Sequence, residues 1–147
     1  MANVIYRGPI KDQAETVSDK TVAGAYLPGV LVTEGASALT IASASSLTDD
    51  LLILSNADYA GQDVATAYTS GDSGVAYRPR PGEVYQVRLA GATYAAKAPL
   101  TVGASGYLEA TSTSERVIAY FEGTAGAITA GTLNDVRIAN TFMTAAA

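Results

Sequence analysis

Glu83-Val84-Tyr85-Gln86-Val87-Arg88-Leu89-Ala90 alternates without a break: Tyr85, Val87 and Leu89 fall on one side of an extended chain, Val84, Gln86 and Arg88 on the other. Successive side chains of a strand point to opposite faces, so this period of two predicts a β-strand with one face in a core. Arg116 to Glu122 behaves similarly, with Val117, Ala119 and Phe121 alternating against Arg116, Ile118, Tyr120 and Glu122. Both of its faces carry apolar surface, which predicts cover on two sides. Shorter candidates are Leu51 to Leu54, Gly74 to Tyr77, Leu100 to Val102, Tyr107 to Glu109 and Val136 to Ile138, bounded by turn residues such as Gly71-Asp72 and Gly103 to Gly106. Pro28-Gly29 suits a type II turn in which the glycine takes the positive φ. Short strands at this spacing predict an all-β fold, a compact β-barrel or β-sandwich. One segment points the other way: Asp63 to Tyr68 suits a single helical turn.

A chain of 147 residues, 48% hydrophobic and 16% charged, can bury one core and is too apolar for a disordered polymer. Residues 1–20 differ from the rest. Lys11, Asp12, Glu15, Asp19 and Lys20 crowd a short span in which Val4, Tyr6 and Ile10 are isolated apolar points. They read as an extended N-terminal arm, with an ordinary first strand as the alternative. A β domain over residues 21–143 and a mobile tail over 144–147 complete the division, and stability is expected to reside from Thr21 onward. Ala-Gly-Ala recurs at Ala23, Ala90 and Ala125, but the unequal spacing supports no solenoid.

Charge and composition then exclude whole classes of function. The net charge is -5 with no basic run, which disfavours phosphate neutralisation and hence nucleic-acid binding. Cysteine and histidine are both absent, removing disulfides, thiolate metal sites and the commonest general base. No stretch approaches the roughly 18 apolar residues of a membrane span, and the start lacks the pattern of a secretory leader. The expectation is a soluble protein made in the cytoplasm, without membrane contact.

Several motifs invite a catalytic reading. Gly71-Asp72-Ser73-Gly74 carries the letters around a serine-protease nucleophile, yet the chain holds no histidine to take the hydroxyl proton, and no motif links Lys11, Lys20 or Lys97 to Ser73. A turn is the simpler reading. Asp49-Asp50 places adjacent carboxylates on opposite faces of a strand, and no calcium-loop or phosphate-loop spacing occurs. No catalytic, metal or cofactor residue is therefore assigned, and the expectation is a protein that is not an enzyme. The segment Tyr77-Arg78-Pro79-Arg80-Pro81-Gly82-Glu83 says more, because its prolines cannot donate to a ladder and present two arginines on a stiff loop. It reads either as an interaction edge, since Arg and Tyr are enriched at interfaces, or as a rigid connector.

In order along the chain stand Ala23 to Val32 with its Pro-Gly, Gly61-Gln62-Asp63-Val64 followed by Ala67-Tyr68 and Gly71-Asp72, the Arg78 to Glu83 turn, and Leu100 to Leu108 with Gly103 and Gly106. Together, over about residues 21 to 140, they resemble the head decoration or cement proteins of tailed bacteriophages. The resemblance implies a small β module, without catalytic residues, that binds the major capsid protein on the outside of the phage head and stabilises it. It further implies a homo-oligomer, a trimer in preference to a dimer, and an N-terminal arm that clasps neighbours. On this basis Val4, Tyr6, Arg7, Ile10, Tyr77, Arg78 and Arg80 are the expected capsid or subunit contacts. The alternative is a carbohydrate-binding or adhesin-like β module of a phage tail or cell surface, which the absence of Trp weakens. A small hydrolase is opposed by the missing histidine.

Overall fold

The four-residue run Leu51-Leu52-Ile53-Leu54 has no polar side, and a strand with that composition needs cover on both faces. A computed structural model of the chain, which describes residues 4–9, 13–43, 50–112 and 115–139, supplies that cover. Its strands are β1 (Tyr6–Gly8), β2 (Glu15–Val17), β3 (Thr21–Val22), β4 (Leu31–Glu34), β5 (Ala38–Ile41), β6 (Leu51–Ser55) and β7 (Val75–Arg78) in the first half. The second half contributes β8 (Val84–Arg88), β9 (Ala92–Tyr94), β10 (Pro99–Val102), β11 (Leu108–Ala110), β12 (Ala119–Phe121), β13 (Gly126–Ile128) and β14 (Leu133–Ile138). One sheet has the order β1-β8-β14-β12-β10-β11 and the other β2-β7-β6-β4-β5-β3, while β13 and β9 form a separate ribbon. The fold is all-β, as the alternation predicts. Neither sheet closes into a barrel, although Leu89, just beyond β8, bridges Leu108 of the edge strand β11 at one point.

Alternate residues of β6 part company. Ile53 joins Leu31 and Ala42 in a cluster with Tyr85, Val87, Leu89, Leu100, Phe121 and Val136 of the first sheet. Leu52 and Leu54 turn the other way and pack with Val32, Leu39, Ala76 and the loop residues Ala57 and Tyr68. The second sheet is therefore the middle layer, with the first sheet on one face and the segment between β6 and β7 on the other. Burying each of these large side chains contributes roughly 1.5–3 kcal/mol. Tyr68 locks the outer cover, its hydroxyl donating to the Ser55 carbonyl at 2.6 Å.

Three expectations are corrected. Asp63 to Tyr68 is not helical, because the Asp63 carboxylate accepts from Ala65 N (3.0 Å) and Thr66 Oγ1 (2.8 Å) and folds the segment into an Asx turn. Of Arg116 to Glu122 only Ala119–Phe121 is strand. Stability does not begin at Thr21 either: Ile5 and Val17 are buried, and Ile5 belongs to the same core cluster as Tyr85. The Pro28-Gly29 turn forms as predicted, with Gly29 at φ +94°. The tail at 144–147 and Asp49 of the Asp49-Asp50 pair lie outside the described residues.

Candidate functional site

The chain changes sheets twice at one corner. Between β7 and β8 it crosses from the second sheet to the first through the Pro79-Arg80-Pro81-Gly82-Glu83 loop, and between β1 and β2 it makes the opposite crossing alongside. The ladders fix this adjacency, since Tyr6 faces Tyr85, Gly8 faces Val84, and Glu15 faces Arg78. β1 and β2 are the edge strands of their respective sheets, so the corner carries two strands whose outer backbone groups have no ladder partner among the described residues.

Most of the residues expected at a partner surface meet at this corner, each with an intrachain task. Tyr6, Tyr77 and Tyr85 form a three-ring cluster with centroids 5.2 to 6.1 Å apart. The Tyr6 hydroxyl donates to the Pro9 carbonyl at 2.8 Å. Arg78 is ringed by acids: Nη2 is 2.7 Å from Glu34, Nε is 3.2 Å from Glu15, and Nη1 is 3.9 Å from Asp50. The Glu34 hydrogen bond is the main reason its guanidinium is held even more firmly protonated than usual. Arg80 Nη2 donates to the Gln13 carbonyl at 2.6 Å and to Glu83 Oε2 at 2.7 Å. Arg7 lies 3.5 Å from Asp135. Val4 is 48% exposed, and Ile10 falls outside the described residues. The prolines thus stiffen a connector, and its arginines clamp the neighbouring crossing.

Glu83 is the hub beneath the loop. It is 3% exposed, and it shares a face with Tyr85 two residues on. Oε1 accepts from the Tyr85 hydroxyl (2.9 Å) and Arg80 N (2.8 Å), and Oε2 accepts from Arg80 Nε and Nη2. Burial pushes the Glu83 pKa up, but the hydrogen bonds from Arg80 and Tyr85 outweigh it and hold the carboxyl below its ordinary range. The Tyr85 phenol is driven strongly upward, first by burial and then by its bond to Glu83.

Elsewhere the chemistry is engaged in building turns. Ser73 is exposed beside Gly71 at φ +94°, and Asp72 Oδ2 accepts from Thr69 N at 2.9 Å. The Lys20 amine donates to the Ala36 carbonyl and Lys97 pairs with Glu122, so neither is turned to Ser73. Among the described residues no group of three or more Asp and Glu side chains is placed to hold a metal ion.

Sequence reasoning missed Arg88. It occupies the polar side of the best strand, yet it is only 9% exposed, and its Nε, Nη1 and Nη2 donate to the carbonyls of Pro28 (2.7 Å), Gly131 (2.6 Å) and Val64 (2.6 Å). Loop carbonyls carry no residue identity, so no signal in the sequence announces this strut.

Comparison with known proteins finds a likeness of fold. No family model matches the chain, and no curated protein matches it. Among solved structures the fold is similar to the N base of the head fiber gp8.5 of bacteriophage phi29, with a TM-score of 0.61 over 90% of this chain and 99% of that one, at 14% identity.

Proposed function

We propose that this chain is a non-catalytic virion structural protein that seats on the outer surface of a phage head, against the major capsid protein, and stabilises the shell. The observation that carries the reading is the fold likeness, over nearly the whole of both chains, to the base of a fiber that belongs to a phage head. The geometry is compatible with it, because β1 and β2 are edge strands, Val4 is exposed ahead of β1, and the stiffened arginine loop lies at the other end of β1 beside Gly8. A protein that binds only the assembled lattice stabilises that lattice by mass action, with no bond made or broken. Synthesis in the host cytoplasm and assembly as a homo-oligomer, a trimer before a dimer, belong to the same proposal. So does contact through Val4, Tyr6, Arg7 and the Tyr77 to Arg80 segment. Sedimentation of the protein with expanded capsids, followed by mass spectrometric copy counting against the major capsid protein, tests it. A fixed stoichiometry is expected, and a chain left wholly in the supernatant overturns the reading.

A glycan-binding reading has one observation behind it. Tyr59 is 74% exposed beside an open cavity of about 530 Å³ that Gln62, Thr69, Asp72 and Ser73 also line. An exposed ring over polar groups suits a sugar face. Binding to soluble glycans that Tyr59→Ala abolishes would favour this second reading over the first.

A further inference from the structure

Arg88 carries a buried positive charge for which the described residues supply no acid. Its three hydrogen bonds all end on neutral carbonyls, and no carboxylate among the described residues forms an ion pair with it. The nearest acid in sequence to the Val64 carbonyl is Asp63, which is turned onto Ala65 and Thr66 instead. Burial lowers the Arg88 pKa, and an arginine nonetheless stays protonated. A desolvated charge is ordinarily paired, because an unpaired one is costly to bury. A guanidinium has five N–H donors, so three bonds leave one N–H on each terminal nitrogen that a carboxylate can accept.

The same guanidinium lines an open cavity of about 360 Å³ with Leu27, Val64, Ala65, Thr132 and Leu133. The neighbouring turn packs closely on two of these residues. Gly29, at φ +94°, lies where a Cβ would stand 2.4 Å from Leu133 Cδ2 and 3.4 Å from Arg88 Cγ, so only glycine lets the turn close over the arginine. A lining of aliphatic side chains with one cation suits a short acidic side chain, whose methylenes would meet the leucines while its carboxylate reaches the remaining N–H groups.

We infer that this cavity is a docking socket for an Asp or Glu side chain of a partner protein, which supplies the counter-charge that Arg88 lacks within its own chain. The inference rests on the capsid-binding reading only for the partner's identity. Two experiments separate them. In the first, the full chain is melted with N-acetyl-glutamate methylamide, with its glutamine counterpart, and with inorganic phosphate at matched ionic strength. The glutamate compound is expected to raise the melting temperature and the glutamine compound to leave it unchanged. An equal response to both, or a response to phosphate as large as that to glutamate, overturns the socket. In the second, Thr132→Glu places an acid at the rim from within the chain and leaves Arg88 and its struts intact. This variant is expected to melt higher than wild type, to lose its response to the glutamate compound, and to be retained on capsids at least about ten-fold less. Unchanged retention of Thr132→Glu on capsids that hold the wild type overturns the docking assignment. Failure of the wild type itself to sediment with capsids overturns the capsid reading, and the glutamate comparison still decides the socket.

Discussion

Glu83→Gln keeps the shape of the hub beneath the corner and removes its charge. The glutamine carbonyl can take the place of Oε1, which accepts from the Tyr85 hydroxyl and Arg80 N at 2.9 and 2.8 Å. Its amide then occupies the Oε2 position and sets N–H groups against Arg80 Nε and Nη2, donor facing donor. Loss of the charge on the retained bonds costs about 1 kcal/mol, the difference between charged and neutral acceptors. The Arg80 side of the pair contributes about 1 kcal/mol more, discounted because the Arg80 side chain is 48% exposed. The expected loss is about 2 kcal/mol, read as a lower urea midpoint at unchanged slope. Because Arg80 also holds the Gln13 carbonyl, limited proteolysis should cut residues 13–17 sooner in the variant. A midpoint within about 0.5 kcal/mol of wild type would refute the hub, since solvent-exposed substitutions commonly fall in that range.

The remaining predictions use other parts of the structure. Glu83 has a folded pKa below its unfolded value of 4.5, so its contribution is fully present above pH 4.5 and is lost as pH falls through the folded value; Glu83→Gln should flatten that part of a stability-versus-pH curve. Gly106→Ala, at φ +72° with a Cβ 2.6 Å from the Leu31 carbonyl, should cost about 3 kcal/mol in denaturant titration, whereas Gly82→Ala, at φ +88° in open space, should cost only about 1 kcal/mol. Deleting residues 1–9 removes buried Ile5 and the β1 ladder on β8, and should lower the melting temperature by about 10 °C. Ser73→Ala should melt within about 2 °C of wild type, since it alters an exposed turn, and an esterase or peptidase activity abolished by it would contradict the structural assignment.

What the sequence determined by itself is whatever depends on local chemistry. Alternation at Tyr85, Val87 and Leu89 set the buried face of β8, and the apolar run at Leu51 to Leu54 marked the strand that became the middle layer. Pro28-Gly29 and Gly71-Asp72 placed turns through their backbone preferences. The missing histidine bounded the chemistry before any fold was considered. Tertiary structure alone decided which faces were covered and by what. The polar side of β8 is closed over by turns whose contacting carbonyls lie 24, 43 and 60 residues from Arg88, and this turns a surface arginine into a buried one. Arg78 and Arg80 became clamps because two sheet crossings lie side by side, an adjacency set by ladder pairing between residues 63 positions apart, Glu15 and Arg78. The limit has one physical cause: a side chain advertises its own polarity, whereas the backbone groups that receive it are the same in every residue and become specific only when distant segments meet.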